Sequence, residues 1–354
     1  MDLKLLEYEY PEELVAQIPS GDRGASRMML MDRATGKLAH SDVDALPSFL
    51  RRGDLVVLND SRVVPARLFG TRGTGEKLEL LVVEPAYAEA SAGKPSPSGS
   101  GVWRCLLKRS RRMRAGEKLF FGMQATATVK GRQGPYLLVE FRGESLELAM
   151  RHHGVPPLPP YIHREGFEAY TERDRERYQT VYADKPGSAA APTAGLHLTE
   201  SLLERIEGLG VETARVTLHV GIDTFTPVRA QDARDHRIHG ERVSISEGDA
   251  AKIELAKRES RRVIAVGTTT TRALESAAEG DAIRSGEWTT DLYILPGFQF
   301  EVVDALLTNF HQPRSTLLAM VCAFAGRELV MRSYREAIVK RYRLFSYGDC
   351  MLIV

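Results

Sequence analysis

The sequence predicts an α/β protein in which a discontinuous α/β domain is interrupted by a small β-rich one. Three observations predict it. Strand and helix patterns joined by short loops occupy 1–62 and 156–354, whereas 63–155 consists of short alternating runs bounded by Gly or Pro. The first 60 or so residues are too few to bury a core alone, so they are expected to complete the sheet formed by the C-terminal part.

Taken in order, Pro11–Gln17 reads as a short helix, with proline in its first turn and Glu12 and Glu13 at its positive end. Met28–Asp32 and Lys37–His40 flank the turn Ala34-Thr35-Gly36 and read as a hairpin. A short helix near Asp44–Leu50 and a buried strand Asp54–Leu58 follow. From Ala66 to Phe141 the runs ARLFGT, EKLELLVVE, GVWRCLLK, EKLFF, ATATVK and YLLVEF suit a small β-barrel or sandwich. Ala88–Gly101 within them is a polar surface loop. A helix near Glu144–His152 and the stiff linker VPPLPP lead back to α/β texture. Thr199 caps a helix with the apolar stripe Leu202, Leu203 and Ile206, and Val211–Val220 is a strand. Ser246 caps a helix through Arg258, Arg262–Val266 is a strand, Thr271–Glu279 a helix and Leu292–Leu295 a strand. Ser315 caps a helix through Ala325 that is apolar on every side and therefore buried. A surface helix, Glu328–Tyr342, and a last strand, Met351–Val354, finish the chain.

With 43% hydrophobic residues and a net charge of +1, the chain can form a sizeable core and is not a strongly basic protein. Cys105, Cys322 and Cys350 lie far apart without a CxxC pair, which suits reduced thiols and argues against a cysteine zinc site. The N-terminus has no apolar signal region, and no apolar run approaches the roughly 20 residues that span a bilayer. A cytoplasmic protein is expected.

Four loops share one design: APTAGLH (191–197), LHVGIDTFTPV (218–228), VGTTTTRALES (266–276) and PGFQFEVVDALLTNFHQPRST (296–316). In VGTTTTR an apolar strand runs into Gly267, four threonines and Arg272 at a helix start, which suits a polar or anionic ligand. An ordinary βα turn with a capping threonine accounts for the same pattern. His197, His219 and His311 each sit in one of these loops, and imidazole suits acid or base work near neutral pH. His236 and His239 form HRIH at helical spacing, but a third ligand is not apparent, so a solvated face is expected and no metal.

Arg104–Lys118 holds seven Lys or Arg against one Glu, a local charge of +6 in a nearly neutral chain. Such a run suits a phosphate backbone or a solvated edge that resists aggregation. The last helix adds Arg332, Arg335, Lys340, Arg341 and Arg343, with Tyr334 and Tyr342 expected to face the core.

Several long stretches resemble the S-adenosylmethionine:tRNA ribosyltransferase-isomerase family of queuosine biosynthesis, the QueA family. They are GDLVVLNDSRVVPARLFG (53–70), PLPPYIHR (157–164), RYQTVYADKPGSAAAPTAGLHLT (177–199), VTLHVGIDTFTPV (216–228), VIAVGTTTTRALES (263–276), DLYILPGFQFEVVDALLTNFHQPRSTLLAMVCAFAG (291–326) and FSYGD (345–349). They span the chain in the family's order. Ser61, Leu198 and Gln312 depart from the expected Thr, Phe and aliphatic residue.

The resemblance implies a layered α/β/α domain (1–62 and 156–354) with an inserted β-barrel (63–155). It also implies transfer and isomerisation of the ribosyl part of S-adenosylmethionine, a co-substrate, onto 7-aminomethyl-7-deazaguanine at the tRNA wobble position. Epoxyqueuosine forms, adenine and methionine leave, and no metal is implied. That chemistry needs a base, a donor for the leaving adenine, and oriented amides and hydroxyls. The expected catalytic residues are His197, His219, Arg272, Glu275 and His311: His197 or His219 is expected to handle the proton, with Arg272, Glu275, Asn309 and His311 positioning substrate. Thr193, Ala194, Gly195, Gly221, Thr224, Phe225, Gly267, Thr268, Thr269, Pro296, Gly297, Thr308 and Asn309 are expected to line the substrate site. Asn59, Arg62, Arg67, Lys108, Arg109, Arg111, Arg112 and Arg114 are expected to meet tRNA.

Rival readings are a metal-dependent hydrolase built on the histidines, a non-catalytic RNA-binding module, and a methyltransferase. The GxGxG loop of the common methyltransferase fold is missing.

Overall fold

A computed structural model of the chain describes residues 2–86, 101–107, 113–221, 228, 230, 232–236, 238 and 240–354. The expected loop Ala88–Gly101 lies outside these residues up to Gly101 itself, as does His239 of the HRIH sequence. The chain divides into two compact units. One comprises Met1–Arg62, Pro159–Ile162 and Arg177–Val354, the other Val63–Leu158 and His163–Glu176. Residues 163–176, expected in the larger domain, join the second unit, where Arg67 donates to the Tyr170 hydroxyl and Arg175 to the Gly154 carbonyl.

A nine-stranded sheet forms the larger unit. Its order is Gly286–Thr290, Glu241–Ile245, Glu212–Leu218, Leu55–Asn59, Val263–Val266, Ala305–Asn309, Cys350–Ile353, Arg27–Met31 and Leu38–Asp42. The four strands from Glu212–Leu218 to Ala305–Asn309 are mutually parallel. Their apolar side chains alternate between the two faces, which makes the domain layered. Leu55, Val57 and Leu306 pack under the helices Glu247–Arg258, Thr268–Ser276, Thr316–Ala325 and Arg327–Val339. Val56, Leu58 and Leu307 pack on the other face against Leu202 and Ile206 of the helix Glu200–Gly208, whose first turn is capped by Thr199.

Several elements differ from expectation. The helix expected over Thr271–Glu279 runs over Thr268–Ser276; in its first turn Thr270 and Thr271 donate their hydroxyls to the carbonyls of Val266 and Gly267. Leu292–Leu295 is not a strand: the amide of Leu292 donates to the Thr290 hydroxyl, and a turn at Pro296–Gly297 follows. The sheet edge is taken instead by Gly286–Thr290 and Glu241–Ile245. Only Glu12–Leu14 of the first expected helix is helical, since Val15 bridges to Leu344.

The second unit is a closed six-stranded antiparallel barrel. Arg67–Arg72, Lys77–Pro85, Gly101–Leu107, Tyr136–Phe141, Ala125–Gln133 and Lys118–Phe121 pair in turn, and the last returns to the first at Thr71 and Phe120. Closure depends on Gly70. A Cβ there would lie 2.4 Å from the Phe120 carbonyl oxygen and 2.7 Å from the Phe121 ring. Gly70→Ala is therefore expected to destabilise the protein by about 1–3 kcal/mol in urea unfolding, the usual range for overpacking. A change below about 0.5 kcal/mol would show that the seam is not constrained.

Candidate active site

The four parallel strands end on one side of the sheet. From Leu55–Asn59 the chain crosses to one neighbour, Glu212–Leu218, and later to the other, Val263–Val266, so a crevice is expected at the strand ends. A cleft lies there, lined by Ala191, Thr193, Ala194, Val220, Gly267, Thr268, Thr269, Thr308, Asn309, His311 and Leu317. All four loops contribute to it. A second hollow shares Thr193, Asn309, His311 and Leu317, and adds Tyr161, Phe310, Gln312, Ser315, Phe345 and Ser346. The first half is rich in threonine and the second in aromatic rings.

Two asparagines at strand ends shape these walls. Asn59 is fully buried. Its Oδ1 accepts from the amides of Ser61 and Leu218 at 3.1 Å, and its Nδ2 donates to the Leu218 carbonyl and to Thr269 Oγ1. The carboxamide replaces a peptide group where the two strands diverge, and it secures the threonine loop as well. Asn59, expected among the tRNA contacts, is thus a buried clasp between segments of the core.

Asn309 is the second clasp. Thr193 donates to its Oδ1 at 3.0 Å, and its Nδ2 donates to the Phe345 carbonyl at 3.2 Å. A carbonyl only accepts, so the amino side of the carboxamide must face Phe345 and also His197 Nε2, 3.1 Å away. His197 Nε2 is therefore the acceptor, and the ring carries its proton on Nδ1. Phe345 sits at φ 69°, where a bulky residue costs on the order of 1–3 kcal/mol. In that conformation its carbonyl meets Asn309, and the neighbouring Ser346 hydroxyl pairs with Tyr161.

The three histidines occupy different environments. His311 lines both halves of the cleft; its Nε2 lies 2.8 Å from Thr308 Oγ1, and its Nδ1 has no hydrogen-bond partner among the described residues. Burial lowers its pKa to about 3. His197 stands behind Asn309, and burial together with Arg343 and Arg23 lowers its pKa to about 4. His219 packs over Gly187, with a buried Nδ1 that has no partner among the described residues; burial and Arg242 bring its pKa to about 4. All three are neutral imidazoles at pH 7.

Other expected residues are engaged elsewhere. Arg272 pairs with Glu241 at 2.6 Å and donates to the Thr290 carbonyl, while the second Glu241 oxygen accepts from the Gly221 amide. The Glu275 carboxylate accepts from the amides of Glu301, Val302 and Val303. Arg272 and Glu275 are not among the residues that line the cleft, and both tie neighbouring segments together. Gly195 is buried against Tyr182 and Thr180, where a Cβ would lie 2.0 Å from the Tyr182 hydroxyl oxygen. It allows close packing and does not line the cleft. Pro296 and Gly297 form an exposed turn away from the lining residues. Thr224 and Phe225 lie outside the described residues. The sequence reading missed Tyr161, Phe345 and Ser346, although FSYGD was among the family stretches.

Of the expected tRNA residues, Lys108, Arg109, Arg111 and Arg112 lie outside the described residues. Arg114 is exposed. Arg62 is exposed and donates to the Ala183 carbonyl. Arg67 is half-buried, bound to Tyr170, Leu158 and Glu79 inside the barrel unit, and this removes it from the expected surface. Among the described residues no cluster of three metal-ligating side chains occurs, and no helix is long and apolar enough to cross a membrane.

A family model described as queuosine biosynthesis protein matches residues 3–353. The chain belongs to this family. It is 47% identical, over all of its length and 99% of the relative's, to a protein of Anaeromyxobacter sp. (strain Fw109-5) named S-adenosylmethionine:tRNA ribosyltransferase-isomerase. A protein of the same name from Trichlorobacter lovleyi is 44% identical, with both chains fully covered. The crystal structure of S-adenosylmethionine tRNA ribosyltransferase from Thermotoga maritima is similar, with a TM-score of 0.54 and 33% identity over 99% of this chain and all of that one. Two departures from the queuosine family pattern are fully buried: Leu198 packs in the apolar cluster beneath the site, and Ser61 has a buried hydroxyl without a partner among the described residues.

The neutral histidines make stability depend on pH. An unfolded chain protonates them near their ordinary value of 6.5, whereas the folded chain does so only near 4 to 3. Their contribution is complete above pH 6.5 and is lost as pH falls toward the folded values. The urea midpoint is expected to fall between pH 6.5 and 5, and less steeply in His311→Gln. Equal slopes in the two proteins would contradict the assignment for His311.

Proposed function

We infer that the chain is an S-adenosylmethionine:tRNA ribosyltransferase-isomerase of queuosine biosynthesis. It moves the ribosyl part of S-adenosylmethionine onto 7-aminomethyl-7-deazaguanine at the wobble position of tRNA, giving epoxyqueuosine and releasing adenine and methionine. Family membership supports the reaction. The observation that carries the site is the cleft lined by all four loops, with His311 shared between it and the adjoining hollow.

The chemistry requires removal of a proton beside the positive sulfonium, followed by departure of adenine. His311 is the residue suited to handle the proton. It is neutral, its Nδ1 is not engaged by protein, and Thr308 can donate to or accept from Nε2, which supports either tautomer. A sulfonium acidifies the adjacent carbon, which lowers the demand on the base. Thr268 and the amides at the start of the helix Thr268–Ser276 supply oriented donors for polar and developing negative groups, while Thr193, whose proton goes to Asn309, offers an acceptor. His197 acts at one remove, by holding Asn309 and through it Thr193.

His311→Ala is expected to lower turnover by about 10²–10⁴-fold, the usual contribution of a general acid or base. Binding of S-adenosylmethionine stays intact. The measurement is mass analysis of the nucleoside and free products after incubation with substrate tRNA and labelled S-adenosylmethionine. Near-normal turnover would remove His311 from the mechanism, and S-adenosylhomocysteine as product would overturn the reaction itself.

The basic run of the barrel unit is proposed to meet the tRNA backbone, with Arg62 as a further contact. Converting Arg111, Arg112 and Arg114 to Glu should weaken tRNA binding and flatten its dependence on salt, leaving S-adenosylmethionine binding alone. An unchanged salt slope would exclude this surface.

A further inference from the structure

The strand Ala305–Asn309 ends two residues before His311, so the backbone of His311 has no ladder to join. Its peptide groups are nonetheless buried and need partners. Two tyrosines from distant parts of the chain supply them. The His311 N–H donates to the Tyr334 hydroxyl at 2.9 Å, and the His311 carbonyl accepts from the Tyr8 hydroxyl. Tyr334 is a buried residue of the helix Arg327–Val339, and Tyr8 belongs to the N-terminal segment. Their rings meet edge to face at 5.1 Å, and the Phe310 ring meets Tyr334 in the same way at 5.2 Å.

The two bonds fall on opposite sides of the His311 Cα, one on the peptide group before it and one on its own carbonyl. Together they fix both peptide planes, and hence the direction in which the side chain leaves the backbone. Thr308 at Nε2 then sets the ring rotation. We propose that Tyr8 and Tyr334 are positioning residues that hold the backbone of His311 so that Nδ1 stays directed at the substrate. The proposal depends on the reading that His311 exchanges a proton with substrate. Burial keeps both phenols well above their ordinary range, so they remain protonated throughout the working pH range.

The experiment is steady-state kinetics of Tyr8→Phe, Tyr334→Phe and the double variant with S-adenosylmethionine and substrate tRNA, beside His311→Ala and with a thermal midpoint for each. Phenylalanine keeps the ring packing and deletes only the hydroxyl. Each single variant should lose about tenfold in kcat and the double variant more, because small displacements of a catalytic group are costly. KM for either substrate should move by less than about twofold, the signature of an interaction that acts only in the transition state. A kcat near the parent's in the double variant while His311→Ala is inactive would overturn the proposal and leave the role of His311 standing. A loss wholly in KM would also overturn it. Full turnover by His311→Ala would instead remove the reading on which the proposal depends. If Tyr334→Phe melts below the assay temperature, Tyr8→Phe, whose ring is only half-buried, carries the same test.

Discussion

The carboxamides of Asn59 and Asn309 are the interactions on which the site depends. Parallel strands diverge at their ends, and the peptide groups there lose their ladder partners while still buried. Asn59 answers both backbone groups of Leu218 with one side chain and reaches Thr269 as well. Asn309 joins Thr193, His197 and Phe345, three points that lie far apart in sequence. Neither asparagine has a hydrogen-bonding atom left over. They fix the walls of the cleft, and the groups left to face it include the Thr268 hydroxyl, the first amides of a helix and one imidazole nitrogen.

Burial then determines how those groups behave. Each loop histidine is held well below its ordinary pKa, so His311, the one that lines the cleft, is a neutral ring at physiological pH. For a substrate that carries its own positive sulfonium this is favourable, because a neutral base does not repel it. The charged pair Arg272–Glu241 is kept out of the cleft and links the edge strand to the loop at Gly221.

Much of the architecture was legible in the sequence, because buried parallel strands are continuous apolar runs and the caps Thr199, Ser246 and Ser315 are local signals. The barrel was legible as texture, but its closure at Gly70 depends on a contact with Phe120 that no local pattern reveals. The loops of the site were also legible, since Gly, Thr and His stand at strand ends. The division of labour among their residues was not. Arg272, Glu275 and Asn59 look like ligands by residue type, and only the fold shows that Glu241, residues 301–303 and Leu218 occupy their polar atoms. Tyr8 and Tyr334 gave no sequence signal, because each contributes one hydroxyl to the backbone of a residue in a remote loop.

The most direct measurement is a crystal structure with S-adenosylmethionine bound. The account predicts the ligand in the cleft at the strand ends, touching Thr193 and Thr268, with the carbon beside the sulfonium about 3–3.5 Å from His311 Nδ1, the separation expected of reacting groups. A ligand seated elsewhere, with Thr193, Thr268 and His311 untouched, would contradict it.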